Sequence, residues 1–120
     1  MGYTVMIVDD SPFMRNMLHT MLDVSGYIVL AEADNGEDAV AKYLKLRPMI
    51  TLMDVLLPHK SGISAAKQIL EIDKNAKVVM CSSLGHEDLI NAALESGAKE
   101  VTSKPYKLNQ LQEVLQRIMQ

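Results

Sequence analysis

Short apolar runs that alternate with segments of helical period constrain the fold of this 120-residue chain more than any other feature. Five strand-like runs each precede a segment in which apolar residues recur at helical spacing, and no internal repeat or linker interrupts the series. Strict alternation predicts parallel strands joined by right-handed crossovers, with helices on both faces of the sheet. Runs such as VMIV and KVVMC are continuously apolar, as expected for strands covered on both faces.

The predicted elements are delimited by these periods and by Gly, Pro and Ser at their ends. Strands are predicted at residues 4–8, 27–33, 50–53, 77–81 and 101–103. Helices are predicted at 12–24, between the turn NGED and Pro48, and at 63–72, 87–96 and 108–119. The fold class is therefore α/β: one domain over residues 1–120, with a doubly wound parallel sheet of five strands and five helices.

Two of the helices have a recognisable apolar side. Ser11 is placed to cap the first helix, and Pro12 suits its first position. The residues expected to face the core are Phe13, Met14, Met17, Leu18, Met21 and Leu22 in the first helix, and Ala39, Val40, Tyr43 and Leu44 in the second.

Composition excludes several classes of protein. No apolar run approaches the ~20 residues of a transmembrane helix, and no signal-peptide pattern precedes the first strand. The net charge of −3 gives no broad basic surface, so we expect no nucleic-acid partner. Because the chain has no membrane-spanning run, we expect no membrane partner either. The single cysteine, Cys81, cannot form an internal disulfide, which favours the cytoplasm. We expect it to be a small buried hydrophobic residue rather than a nucleophile.

Polar side chains follow four of the predicted strands. Asp9 and Asp10 follow the first, Asp54 the third, Ser82 the fourth and Lys104 the fifth. In open α/β sheets, binding sites form at the carboxyl ends of the strands, beside the point where the strand order reverses. In the common order 2-1-3-4-5, the first and third strands are neighbours about 4.8 Å apart. The three aspartates would then share one small cleft.

Three carboxylates in one cleft repel one another unless a cation neutralises them. Mg²⁺ prefers oxygen ligands and takes few of them from protein, leaving positions for water or a phosphoryl group. Lys104 would offer a positive charge to phosphoryl oxygens, and Ser82 a hydroxyl. The pattern indicates phosphoryl transfer, in which an aspartate carboxylate can be the nucleophile.

Each of these residues has a more common role when it is considered singly. An aspartate or serine after a strand usually caps a helix or forms a turn, and a lysine is usually a solvated charge. The prediction therefore depends on their conjunction at one edge of one sheet.

Six segments together resemble the receiver domain of two-component response regulators, especially the single-domain, chemotaxis-type receivers. They are VMIVDDS at 5–11, NGEDAV at 35–40, LMDVLLPHKSG at 52–62, CSSLG at 81–85, SGAKE at 96–100 and KPY at 104–106. The resemblance covers the whole chain and implies a flavodoxin-like fold with strand order 2-1-3-4-5.

The resemblance implies a role for each acidic residue. Asp54 corresponds to the phosphoacceptor. Asp10 corresponds to a direct Mg²⁺ ligand, Asp9 to a residue acting on the ion mainly through water, and the backbone carbonyl of Leu56 completes the protein ligands together with Asp54.

The resemblance also assigns the residues around the phosphoryl group. Ser82 matches the switch hydroxyl, and Lys104 matches the lysine that contacts the phosphoryl group. The bond between Lys104 and Pro105 is expected to be cis, and Gly62 to close the loop after Asp54.

Three positions depart from the usual receiver pattern. Val101 stands where an aromatic switch residue is usual, Ser103 where an apolar residue is common, and Met49 where an aspartate is frequent. A rotating aromatic side chain therefore cannot report phosphorylation here. We expect a packing change at Val101 and a shift of residues 82–86 instead.

The function implied is a phosphorylation switch rather than a conventional enzyme. A histidine kinase would donate a phosphoryl group to Asp54 with Mg²⁺, and the change would bias a protein-binding surface on the fourth helix, fifth strand and fifth helix. That surface maps to residues 86–95, Val101 and 107–113 of a monomer, and its partner is a protein rather than nucleic acid.

Other functions compete with chemotaxis-type signalling. The chain could be a stand-alone phosphorelay or sporulation-type receiver, or a receiver used only as an unphosphorylated binding module. A small phosphatase of the haloacid-dehalogenase type would place its nucleophile at Asp9, but such enzymes carry Asp-x-Asp and a longer chain. A flavodoxin-type FMN protein would need a phosphate-binding loop in place of DDSPFM.

Leu56 and Leu84 would flank the phosphoryl group, so their bulk could hinder attacking water and prolong the phosphorylated state; ordinary loop packing explains them equally well. His19, His59 and His86 have no metal-ligand spacing and are expected at the surface or in packing.

Overall fold

The computed structural model describes residues 2–83, 87–95 and 97–120. Its strands are β1 (Thr4–Val8), β2 (Ile28–Ala33), β3 (Ile50–Asp54), β4 (Lys77–Ser83) and β5 (Glu100–Lys104). Its helices are α1 (Pro12–Val24), α2 (Gly36–Leu46), α3 (Gly62–Ile72), α4 (Glu87–Glu95) and α5 (Leu108–Ile118). The strands pair in parallel in the order β2-β1-β3-β4-β5, which confirms the predicted fold class and order.

The sheet divides the core into two layers because successive side chains of a strand point to opposite faces. One layer contains Met6, Met53 and Met80, covered by α2, α3 and α4. The other contains Ile7 and Leu52, covered by α1 and α5. Both faces of the sheet are buried under helices, which explains why the strands are continuous apolar runs in the sequence.

The strands extend further toward the site than predicted. The β3 ladder includes Asp54, β4 continues to Ser83, and β5 spans Glu100–Lys104, because the parallel pairing continues through these polar residues. Elsewhere β2 begins at Ile28, α3 begins at Gly62 and α5 ends at Ile118, while Ser96 at the predicted end of the fourth helix lies outside the described residues. Of the polar residues expected just after the strands, Asp54, Ser82 and Lys104 are thus fixed by the ladder itself, whereas Asp9 and Asp10 follow the end of β1.

Two apolar residues were wrongly predicted to face the core. Phe13 is 69% exposed and Leu44 is 49% exposed. At about 100° per residue, Phe13 lies about 140° around the axis of α1 from buried Leu18, and Leu44 lies about 100° from buried Tyr43 on α2. The buried arc of each helix is narrower than its run of apolar residues.

The start of α1 confirms the predicted cap. The Ser11 side chain accepts a hydrogen bond from the backbone N–H of Met14, and Pro12 opens the helix. The cap fixes where the chain turns after β1, directly behind Asp9 and Asp10. None of the helices described is both long enough and apolar enough to traverse a bilayer.

Candidate functional site

The carboxyl ends of the strands meet at one rim of the sheet. β1 pairs with β3 up to Val8 and Met53, so Asp9 and Asp54 come next on neighbouring strands. β4 separates β3 from β5, which ends at Lys104. The topology therefore brings together side chains that are far apart in sequence.

Asp9, Asp10 and Asp54 form an acidic cluster at this rim. One carboxylate oxygen of each lies within 4.8 Å of the others. Asp9 and Asp54 are buried, while Asp10 is exposed at the mouth of the cleft. Two oxygens bound to one Mg²⁺ at about 2.1 Å are at most about 4.2 Å apart, so the spacing is close to what one ion requires.

Lys104 reaches back over β4 to the cluster. Its Nζ lies 2.8 Å from Asp9 Oδ2 and 3.1 Å from Asp54 Oδ2. The side chain is only 15% exposed, so these contacts are poorly screened by solvent. One ammonium cannot balance three carboxylates, and the charge left over suits a divalent cation.

Burial and charge act in opposite directions on the ionisable groups here. Burial raises the pKa of Asp54 above its ordinary value, and the nearby Lys104 ammonium only partly offsets this. Burial alone would lower the pKa of Lys104, but its hydrogen bonds to Asp9 and Asp54 outweigh that effect and raise it. Lys104 therefore stays charged, and Asp54 lacks full compensation of its negative charge.

Asp9 and Asp10 differ in how their oxygens are used. Asp9 Oδ1 accepts a hydrogen bond of 2.9 Å from the backbone N–H of Ser11, and Oδ2 accepts one from Lys104. Among the described residues, no side-chain hydrogen bond or ion pair involves the Asp10 carboxylate. Asp10 is thus the cluster member with free oxygens at the mouth.

The loop after β3 is folded tightly against the cluster. The Gly62 N–H donates to the carbonyl of Val55 at 3.0 Å, and a Cβ on Gly62 would lie 1.8 Å from the Asp54 carbonyl oxygen. The predicted closure at Gly62 is confirmed, and glycine is required by that approach. The backbone N–H of Leu56 lies 3.4 Å from Asp54 Oδ1, and its side chain is 54% exposed at the rim.

Two further expectations concern the neighbouring strands. The bond between Lys104 and Pro105 is cis, as expected. Ser82 is buried at the same rim, but its hydroxyl donates to the carbonyl of Ser83 at 3.1 Å, and among the described residues no hydrogen bond joins it to the acidic cluster.

Cys81 pairs with Asp54 in the β3–β4 ladder and is buried, as expected for a small hydrophobic residue. Burial raises the pKa of its thiol to about 12, so the thiol is protonated near neutral pH and is a weak nucleophile.

The other described residues singled out in the sequence lie outside the acidic cluster. Val101 is partly buried against the core layer under α4, and Ser103 is exposed. His59 is exposed in the loop after β3, and His19 lies on α1. Leu84 and His86 fall outside the described residues.

Arg15 contacts the site, and it was not among the residues predicted from the sequence. Its Nη1 donates a 2.7 Å hydrogen bond to the backbone carbonyl of Asp9. A possible signal was its spacing: Arg15 lies one helical turn after Ser11, where its side chain can reach back to the end of β1.

The family is decided by comparison of the whole sequence. A family model described as the response regulator receiver domain matches residues 5–116. The chain is a response-regulator receiver. The receiver is homologous to the chemotaxis protein CheY of Thermotoga maritima, with 42% identity over 118 residues and 98% of each chain covered. It is also 37% identical over 119 residues to CheY of Bacillus subtilis, with 99% of each covered.

Solved structures agree with the sequence relatives. The receiver superposes with a TM-score of 0.87 on a chain of the crystal structure of the CheX–CheY–BeF3–Mg complex from Borrelia burgdorferi. That match has 38% identity and covers 98% of the receiver and 87% of the other chain. Receivers are signalling domains of the two-component type, and the acidic cluster found here is compatible with the metal site of that family.

Proposed function

We propose that the receiver accepts a phosphoryl group on Asp54 from the phosphohistidine of a histidine kinase. The acidic cluster with Lys104 carries the proposal, because it presents a buried carboxylate beside a fixed positive charge at an open rim. A carboxylate that lacks full charge compensation is a suitable nucleophile when a cation screens the approaching phosphoryl oxygens.

The transfer exchanges one bond to phosphorus for another. An Asp54 oxygen forms the new P–O bond while the donor's P–N bond breaks. The histidine nitrogen keeps the electron pair and then takes a proton from solvent. Lys104, already 3.1 Å from Asp54 Oδ2, is placed to pair with the negative charge that accumulates on the phosphoryl oxygens.

Mg²⁺ would be held by the carboxylates of Asp10 and Asp54 and by the backbone carbonyl of Leu56, with Asp9 acting through water. The hydrogen bonding supports this division, because both Asp9 oxygens already have partners and those of Asp10 are free among the described residues. When bound, the ion supplies neutralisation of negative charge between the acceptor carboxylate and the phosphoryl oxygens.

Ser82 would transmit the change. Its hydroxyl now donates to the carbonyl of Ser83, and that weak local bond can be exchanged for one to an anionic phosphoryl oxygen, which is a stronger acceptor. Val101, partly buried next to β4, would repack as the end of β4 moves. To change the ratio of active to inactive conformers from 1:99 to 99:1, phosphorylation must stabilise the active conformer by about 5.5 kcal/mol relative to the inactive one.

The output would be binding of a protein by the surface of α4, β5 and α5, in chemotaxis-type signalling. The homology to CheY supports this role, and the Borrelia burgdorferi relative is crystallised with CheX. Cytoplasmic location, a monomeric state and the absence of conventional enzyme activity belong to the same proposal.

The test is incubation with acetyl phosphate and Mg²⁺, followed by intact-mass measurement. Wild type should gain the mass of one phosphoryl group, and Asp54→Asn should gain none because the amide cannot accept it. Asp9→Asn should retain some labelling. If Asp54→Asn is labelled and Asp9→Asn is not, a phosphatase-like nucleophile at Asp9 replaces this proposal.

Binding of the output partner can be tested in parallel. A pull-down with beryllofluoride and Mg²⁺ should enrich a protein that is not retained without beryllofluoride or by Asp54→Asn. A chemotaxis component favours the present role, and a phosphotransfer protein favours a phosphorelay.

A further inference from the structure

The position of Asp10 depends on its backbone. Its carboxylate lies exposed at the mouth of the cluster, and no described side-chain contact holds it there. Asp10 follows the last residue of the β1 ladder by two positions, so it lies where the chain leaves the sheet and turns into α1. The orientation of the peptide between Asp9 and Asp10 therefore determines where this carboxylate lies.

Arg15 holds that peptide. The 2.7 Å bond from Arg15 Nη1 ends on the carbonyl of Asp9, which belongs to the same planar peptide group as the Asp10 nitrogen. The preceding peptide is also held, because the Asp9 N–H donates to the carbonyl of Ala33 at 3.1 Å. Together these bonds fix the two successive peptides at the exit of β1.

Arg15 is itself held in place. Its Nε donates to Glu32 Oε1 at 3.2 Å, and the other carboxylate oxygen of Glu32 lies 3.2 Å from His19 Nδ1. The Arg15 side chain is 19% exposed, so most of it is shielded from water. A guanidinium binds two partners in fixed directions, which a lysine ammonium on a flexible stem does not reproduce.

We propose that Arg15 is a positioning residue for the metal site: by clamping the Asp9–Asp10 peptide to Glu32, it sets the affinity of the acidic cluster for Mg²⁺. The inference rests on the proposed function only in taking the cluster as a Mg²⁺ site. Outer residues that orient metal ligands typically change affinity 10–100-fold when they are altered.

Charge alone predicts the opposite result. Removing a cation beside an acidic cluster should strengthen the binding of Mg²⁺, whereas loss of positioning should weaken it. The sign of the change in affinity therefore separates the two roles of Arg15.

Lys42 provides a matched control. It lines the same pocket as Arg15, and its ammonium donates to the backbone carbonyl of Glu32, one strand further from the cluster. Lys42→Met and Arg15→Met remove the same charge and keep a long apolar stem, but only Arg15→Met frees the Asp9 carbonyl.

The experiment is a calorimetric titration of the full chain with MgCl₂, without a phosphodonor. Arg15→Met should raise the Kd about tenfold, and Arg15→Lys should raise it although it keeps the charge. Glu32→Gln should have a smaller effect in the same direction, and Lys42→Met should leave the Kd unchanged or lower it. Circular dichroism melts without Mg²⁺ identify any variant that fails to fold, in which case Arg15→Lys decides, because it keeps the charge.

Equal or tighter Mg²⁺ binding by folded Arg15→Met and Arg15→Lys overturns the positioning role. A rise in Kd of the same size in Lys42→Met also overturns it. If wild type itself binds no Mg²⁺, the metal site of the proposed function fails, and the positioning role fails with it.

Discussion

Single residues at the site differ in which of their atoms are already engaged. Each carboxylate oxygen of Asp9 and of Asp54 has a partner, but the contacts of Asp54, at 3.1 and 3.4 Å, are longer than those of Asp9, at 2.8 and 2.9 Å. These lengths favour Asp54 over Asp9 as the reacting carboxylate, because Asp9 would have to give up a shorter hydrogen bond to react. The backbone of Leu56 contacts Asp54 Oδ1, and the Leu56 side chain is exposed at the rim.

Leu56→Asn is expected to shorten the life of phosphorylated Asp54. Half of the Leu56 side chain is exposed beside the acceptor, where its bulk would obstruct an attacking water, and an amide would admit and orient that water. The rate of phosphate loss after removal of acetyl phosphate should rise a few-fold, as measured by intact mass over time. Leu44→Asn changes an equally exposed leucine away from the site and should leave the rate unchanged. An unaltered rate in Leu56→Asn assigns Leu56 to loop packing.

At the scale of elements, the loop between β3 and α3 is built on a close approach of two backbones. Gly62 lies against the carbonyl of Asp54, and α3 starts at that same glycine. The start of a helix is therefore fixed against the last residue of the central strand.

Gly62→Ala should push the start of α3 away from the end of β3 and destabilise the fold. The added Cβ would lie 1.8 Å from a backbone oxygen that cannot rotate away, so the free energy of unfolding should fall by about 1–3 kcal/mol or more. Urea titrations followed by circular dichroism measure the loss. Gly2→Ala is the control, since its Cβ would meet only the flexible end of Ile28. A Gly62→Ala protein as stable as Gly2→Ala would contradict the close approach.

The rim opposite the site joins α2 to the turn after α3. The Tyr43 hydroxyl donates to Asp73 Oδ2 at 3.0 Å. Burial and, to a smaller extent, this hydrogen bond raise the pKa of Tyr43 to about 12. An unfolded tyrosine titrates near 10. The stabilising contribution is therefore complete below about pH 10 and is lost as the pH rises toward 12.

Tyr43→Phe tests that linkage. Wild type should lose stability between about pH 10 and about pH 12 in urea titrations, and the loss should be smaller in Tyr43→Phe, which has no proton to release. Asp73→Asn should also reduce the pH dependence. Identical slopes for wild type and Tyr43→Phe would show that this phenol does not couple to folding.

At the scale of the whole molecule, the sequence was sufficient for the fold because its signals are repeated along the chain. Alternating periods specify five strands and five helices, and the polar residues at the ends of four strands mark one rim. The exposed positions of Phe13 and Leu44 were missed because hydrophobicity does not report how wide an arc the sheet covers. The bond from Arg15 to the Asp9 carbonyl was missed because an arginine one helical turn after a cap is usually a solvated surface charge, and the spacing does not show that its side chain turns back to β1. The pairing of Lys104 with both aspartates needed the actual reach of its side chain across β4.

Because the Lys104 ammonium at the end of β5 contacts both Asp9, after β1, and Asp54, on β3, a new anion on Asp54 must compete with Asp9 for this cation. If Lys104 turns toward the new anion, Asp9 Oδ2 loses its partner. Modification of the central strand would then change the contacts at the ends of β1 and β5 through a single side-chain nitrogen.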